Sequence, residues 1–240
     1  MADARSAVRP GLPRRRLFDV VSTVVMIALA SVLVWQGWSG QRGQGTPARV
    51  VIPTPAVPLE LAGRPKVGSP SARLGMIVYS DFECPYCGRF ARDVWPVVQS
   101  EFVSPGLVFV VFKHYPLAMH SYAAGAAAAS SCGGRQGKFW AMHDLFFALP
   151  MKLASADLRS SAQQTGLDLE AYDACVGDPE TLRLIAEDSA EAQTTGLTGT
   201  PGFVFGALDD NQRLRASDVL MGARPVADFR SILKRLATKS

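Results

Sequence analysis

The chain has 240 residues, 48% of them hydrophobic, which is enough apolar material for one good core plus extra segments, or for two small domains. Its formal net charge of +4 sits at the front: Arg5, Arg9, Arg14, Arg15, Arg16 and Arg42 face only Asp3 and Asp19, whereas residues 73–240 are slightly acidic in balance. A main domain without basic excess excludes the footprint of a nucleic-acid binder, so no nucleic-acid partner is expected.

Arg14, Arg15 and Arg16 precede an apolar stretch, residues 20–38, with Asp19 at its mouth. As a helix it reaches roughly 28 Å at about 1.5 Å per residue, close to one hydrocarbon core, and we read it as a transmembrane anchor. Arginines before it and Trp35 and Trp38 at its far end follow the positive-inside rule and the interfacial aromatic anchor. Residues 1–19 are then the basic cytoplasmic terminus of a single-pass protein of the bacterial inner membrane, with the main domain facing the periplasm or cell exterior. A cleaved signal peptide is the alternative, since Ala28-Leu29-Ala30 has the form of a cleavage site, but residues 31–38 stay apolar beyond it. Either way the domain is exported. Residues 39–71, with Pro47, Pro53, Pro55, Pro58, Pro65 and Pro70, read as a Pro/Gly-rich, semi-stiff spacer before a folded domain over 72–240.

That domain opens with LGMIVYSDFECPYC, residues 74–87. Leu74, Met76, Ile77, Val78 and Tyr79 make the continuous apolar run of a strand covered on both faces. Ser80, Asp81, Phe82 and Glu83 break it, and helical spacing follows at Phe90, Val94, Val97 and Val98. Proline suits the first helical position, so Cys84 falls at or next to the N-cap, its sulfur near unpaired backbone N–H groups. That setting stabilises a thiolate. A C-x-x-C pair can form a disulfide, hold half of a metal site or fill space; an exposed sulfur at a helix N-terminus with a second one turn deeper favours redox chemistry.

The helix is predicted to end near Ser104, at Pro105-Gly106, and residues 107–112 to form a second strand, parallel to the first through a right-handed crossover. Helices follow over about 122–132, 138–149, 155–165, 169–176 and 179–195, with breaks at Gly133-Gly134, Pro150, Gly166 and Gly177. Thr198-Gly199-Thr200-Pro201-Gly202 leads into a strand at Phe203, a turn over 207–211, a short return strand over 213–216 and an amphipathic helix over 226–236. The order strand, helix, strand, helical block, hairpin, helix defines an α/β domain.

The C-x-x-C at the strand-to-helix junction, Thr200-Pro201 before a late hairpin and the helical insert between them resemble a DsbA-like member of the thioredoxin superfamily, over about residues 73–237. Lys138-Phe139-Trp140-Ala141-Met142-His143-Asp144 adds a softer match to the insert of that family. The resemblance implies a thioredoxin fold with an inserted helical domain, about 117–196, and thiol–disulfide exchange on exported cysteine-containing proteins. Cys84 would be the exposed nucleophile and Cys87 the buried resolving thiol of a redox disulfide, with Pro85 and Tyr86 completing the motif. Pro201 would be a cis-proline packed against that disulfide, and Thr200 would offer its backbone to an extended substrate. A membrane redox partner for recycling is implied too, and no organic cofactor or metal is needed. Two positions depart from the pattern. Val78 stands six residues before Cys84, where the best-known oxidase of the family has a buried glutamate, and Pro85-Tyr86 resembles the dipeptide of glutaredoxins. Asp81 and Glu83 are nearer, and their loop position predicts solvated side chains. The function expected is the introduction of disulfides into exported proteins; an exported reductase or isomerase using the same cysteines, or a non-enzymatic metal- or peptide-binding module, are the alternatives.

Cys132 and Cys175 sit near helix ends of the inserted block. In an exported compartment an even cysteine count favours a disulfide between them, closing a loop of roughly 44 residues and worth about 4 kcal/mol in the chain-entropy account. Two inert thiols, or a zinc site of all four cysteines, are the other readings, the latter poorly matched by one C-x-x-C and two isolated cysteines. His114, His120 and His143 have no assignable nucleophile partner and are read as structural hydrogen-bonders. Trp95 and Trp140 are expected in the core, and Tyr86 as the one exposed aromatic.

Overall fold

The computed structural model describes residues 24–32 and 54–238. The chain divides into two compact units, Met1–Val50 and Val51–Ser240. In the first, residues 24–32 are helical with exposed side chains. The rest of the expected 20–38 anchor and most of the expected spacer lie outside the described residues, among which no helix is long and apolar enough to cross a membrane.

The second unit is a five-stranded mixed sheet with helices on both faces. Its strands are β1 (Lys66–Val67), β2 (Leu74–Ser80), β3 (Val108–His114), β4 (Gly202–Leu208) and β5 (Leu214–Met221), in the order β1-β3-β2-β4-β5. Among the described residues only β2 and β3 run parallel, in register from Leu74 opposite Val108 to Ser80 opposite His114. All seven residues of β2 are buried, as the unbroken apolar run requires. Met76 and Val78 face one core with Phe90, Val98, Phe203 and Phe229; Ile77 and Tyr79 face another with Leu59, Leu61, Leu197 and Val204.

The crossover from β2 to β3 is one helical run: α1 (Pro85–Arg89), a wide π turn over Phe90–Val94, α2 (Trp95–Val98) and a second π turn over Gln99–Val103. Pro96 lies inside that run and has no N–H to give to the preceding turn, which is the physical reason the helix widens there instead of continuing as a regular α-helix. Five helices fill the insert: α3 (Ala123–Arg135), α4 (Phe139–Ala148), α5 (Ser155–Gln164), α6 (Leu169–Val176) and α7 (Pro179–Thr194). The expected break at Gly133-Gly134 is absent, because α3 runs through both glycines. A Cβ on Gly133 would stand 2.8 Å from Met142 Cγ, so the glycine serves the close approach of α4 to α3 and not a stop. The closing helix α8 (Val226–Ala237) returns to the sheet, and β5 is longer than the predicted return strand.

Part of the expected spacer is instead folded onto the domain. Leu59 and Leu61 are buried, Leu59 exchanges two backbone hydrogen bonds of 2.9 Å with Leu214, and β1 pairs antiparallel with β3. Arg64 Nε donates to Asp188 Oδ1 at 2.9 Å, and its Nη2 to Glu187 Oε2 at 3.2 Å. Asp188 also accepts the His114 N–H at 3.0 Å, and its burial pushes its carboxyl up to about 6 although Arg64 and Lys113 pull the other way. Arg64→Ala should therefore cost about 3 kcal/mol in urea denaturation at neutral pH, because it leaves a buried carboxylate without its nearest cation. The loss should shrink below pH 6, where Asp188 takes a proton.

Candidate active site

The end of β2 sets the position of the cysteine pair. Cys84 is the N-cap of α1, extended at φ −72° and ψ 120°, with Pro85 at the first helical position. Its carbonyl accepts the Gly88 N–H at 3.1 Å and its own N–H donates to Asp81 O at 3.2 Å. Cys87 lies one turn on, fully buried, and the Asp81 N–H points at its sulfur from 3.5 Å. Both are free cysteines. Cys84, expected as the exposed sulfur, is only 4% exposed. The loop before β4 covers it: Cys84 Sγ is 3.4 Å from Thr200 O, and the Thr200–Pro201 peptide bond is cis. Pro201 in turn is fixed by the Gly222 N–H, which donates to its carbonyl at 2.7 Å.

The two sulfurs differ in proton affinity. A hydrogen bond from Cys87 holds Cys84 down at about 5, helped by Thr200 and by the backbone N–H groups of Cys87 and Tyr86, against the opposing effect of burial. Burial pushes Cys87 well above the usual thiol range, and a negative charge on Cys84 adds to it. The Thr200 hydroxyl is buried and makes no regular hydrogen bond. Pro85 and Tyr86 are exposed, Tyr86 at 54% with Arg89 over its ring at 5.5 Å. It is not alone among aromatics, since Tyr122 is 51% exposed.

Cys132 and Cys175 are joined in a disulfide between α3 and α6, with Cα atoms 5.7 Å apart. Their sulfurs are thus taken up by each other, which removes the four-cysteine zinc alternative. His114 and His143 lie in the insert core around Phe82 and Phe112, and burial drives His114 down to about 3. Trp95 is buried and stacks on Trp140 at 5.5 Å, although Trp140 is only partly covered.

Asp81 was expected in solvent and is 2% exposed. Its carboxylate accepts the N–H groups of Glu83 and Leu117, each at 2.8 Å, and stands 2.7 Å from His120 Nδ1. The Glu83 bond is an Asx turn, for which an aspartate directly after a strand is the available sequence signal. Nothing local announces Leu117 and His120, which arrive from the loop after β3.

A helix-capping cysteine pair facing a cis-proline loop on such a sheet is the arrangement of the thioredoxin fold, and the fold as a whole is that of the DsbA-like proteins. A thioredoxin family model matches residues 61–215, and the chain belongs to that family. Among solved structures, alpha-DsbA1 of Wolbachia pipientis is similar at a TM-score of 0.67 and 24% identity, covering 75% of this chain and 94% of that one. A thioredoxin-like oxidoreductase from Silicibacter pomeroyi DSS-3 is similar at a TM-score of 0.63 and 26% identity, with the same coverage of 75% and 94%. Curated relatives bear another name. The Na(+)/H(+) antiporter NhaA 3 of Salinispora tropica is 37% identical over 137 residues, 57% of this chain and 20% of that protein. The Na(+)/H(+) antiporter NhaA of Herminiimonas arsenicoxydans is 29% identical over 206 residues, 86% of this chain and 31% of its own length. The chain therefore spans a fifth to a third of those relatives, and antiport is said of them alone.

In the reduced protein the ultraviolet absorbance of the thiolate should titrate near pH 5, and Cys87→Ala should raise that midpoint by removing the first donor. Folded, Cys84 loses its proton near 5, whereas in an unfolded chain it keeps it to about 8.5. Its contribution to folding is thus complete at about 8.5 and is lost as pH falls through 5, and a Cys84–Cys87 disulfide removes it altogether. Calorimetry should find the reduced protein melting above the oxidised one at neutral pH, with the gap closing toward pH 5.

Proposed function

We propose that this protein is a thiol:disulfide oxidoreductase that introduces disulfides into exported cysteine-containing proteins through Cys84 and Cys87. The observation that carries the reading is the unequal pair: a sulfur held near 5 at a helix N-terminus beside one whose burial keeps its proton. The likeness to a thioredoxin-like oxidoreductase supports the class of chemistry.

The reaction starts from the Cys84–Cys87 disulfide. A substrate thiolate attacks Cys84 Sγ; the bond between the two cysteines breaks, and its electron pair leaves on Cys87, which takes up a proton. The high proton affinity of Cys87 suits that step. A second substrate thiolate then attacks the substrate sulfur of the mixed disulfide. A new disulfide forms in the substrate and Cys84 leaves as a thiolate, so two electrons have passed to the pair. Stabilising that leaving thiolate stabilises the reduced protein and makes its disulfide oxidising. Thr200 and Pro201 border the approach to Cys84, where the Thr200 carbonyl would be released to an extended substrate chain once the thiol no longer donates to it.

The cellular setting belongs to the same proposal. The apolar residues 20–38 anchor the chain in the bacterial inner membrane, the catalytic domain faces outward, and a membrane redox partner reoxidises the pair. No metal or organic cofactor takes part.

Equilibration of the protein with glutathione buffers, followed by counting free thiols, tests the direction of electron flow. A potential near about −120 mV supports a disulfide donor, and one near about −270 mV would make the protein a reductase. Cys84→Ala should abolish exchange while leaving the Cys132–Cys175 bridge intact.

A further inference from the structure

Asp81 and His120 have no part in the reaction just described, yet they tie the cysteine loop to the loop that follows β3. Asp81 Oδ1 takes the Glu83 N–H, and Oδ2 takes the Leu117 N–H at 2.8 Å and the His120 Nδ1–H at 2.7 Å. Because a carboxylate only accepts, Nδ1 carries the proton, which fixes the ring's tautomer when it is neutral. The Asp81 side chain is fully buried and the His120 ring 17% exposed. A second tie, the Tyr122 N–H on Glu83 Oε2 at 2.7 Å, closes the same two loops together.

Asp81, Cys84 and Glu83, all in the β2–α1 connection, act on the imidazole as negative charges. Burial alone would push His120 down; the Asp81 hydrogen bond and charge outweigh it, and the charges of Cys84 and Glu83 add to the rise. The Cys84 N–H donates to the Asp81 carbonyl at 3.2 Å, so the two residues share one turn, and without a nearby cation the buried Asp81 carboxylate would oppose a thiolate on Cys84.

We propose that His120, held by Asp81, is a positioning residue whose positive charge stabilises the Cys84 thiolate and so sets how oxidising the cysteine pair is. The inference rests on the exchange reading of Cys84 and supplies what Val78 leaves missing, an ionisable group that responds to the redox state of the pair. When the disulfide is reduced, the new thiolate raises the proton affinity of His120; when it forms again, that proton is more readily given up. Oxidising strength then declines as pH rises through the titration of His120, because the neutral ring no longer offsets Asp81.

Coupling of two groups is reciprocal, so His120 itself reports it without any substitution. Histidine NMR titration of the 240-residue protein should give His120 a higher midpoint with Cys84 and Cys87 reduced than with them joined. Cys84→Ser in the reduced state should lower the midpoint as oxidation does. Near pH 6, His120→Gln should shift the glutathione equilibrium about fivefold toward the disulfide form, whereas His120→Lys, which keeps the charge, should stay close to the wild type. A His120 midpoint indifferent to both the redox state and Cys84→Ser, or Gln and Lys variants displaced alike, overturns the proposal. A wild-type pair that does not equilibrate with glutathione at all would sink the exchange reading instead, and the Cys84→Ser comparison would still decide the coupling.

Discussion

The unequal proton affinity of Cys84 and Cys87 is the constraint on which the chemistry of this fold depends, because one sulfur must be a good acceptor and the other a reluctant acid. Neither property belongs to cysteine as such. Cys84 owes its acceptor character to the start of α1, where Pro85 needs no partner and the N–H groups of Tyr86 and Cys87 have none in the helix. Cys87 owes its proton to being sealed between β2 and the insert. Both conditions trace back to β2, whose seven buried residues fix where the helix begins.

The insert is the other wall of that seal. Phe82, between the strand and the cysteines, packs against Phe112, Phe146 and Phe147 with ring centroids 5.0 to 5.5 Å away. Cys84, Cys87, Cys132 and Cys175 all lie in this one apolar cluster. The bridge between α3 and α6 therefore stiffens the core against which the reactive pair rests.

Elements whose signal is local were legible in the sequence. The apolar run of β2, the helical spacing after Cys84, and α6, whose bounds coincide with those expected, need only neighbours in the chain to be recognised. What escaped depends on distant partners. Residues 54–71 look like a spacer because prolines break every period, yet Leu59 finds Leu214 and Arg64 finds Asp188 across the fold. Gly133 reads as a stop unless the Met142 side chain is known to press on it. Asp81 reads as solvated because the groups that satisfy it, Leu117 and His120, sit more than thirty residues downstream. The cysteine motif was plain in one dimension, while the cover that Thr200 lays over Cys84 exists only in three.

The folding of residues 54–71 across both edges of the sheet, Leu59 on β5 and β1 on β3, also bears on how the domain meets a mechanical load. A pull on its N-terminal side first reaches the paired hydrogen bonds between Leu59 and Leu214, then the Arg64 fork on Asp188 and Glu187, and only then β1 on β3. These attachments lie in series ahead of β2 in the chain. Tension in the leading segment therefore meets these contacts before it meets the strand that carries the two sulfurs.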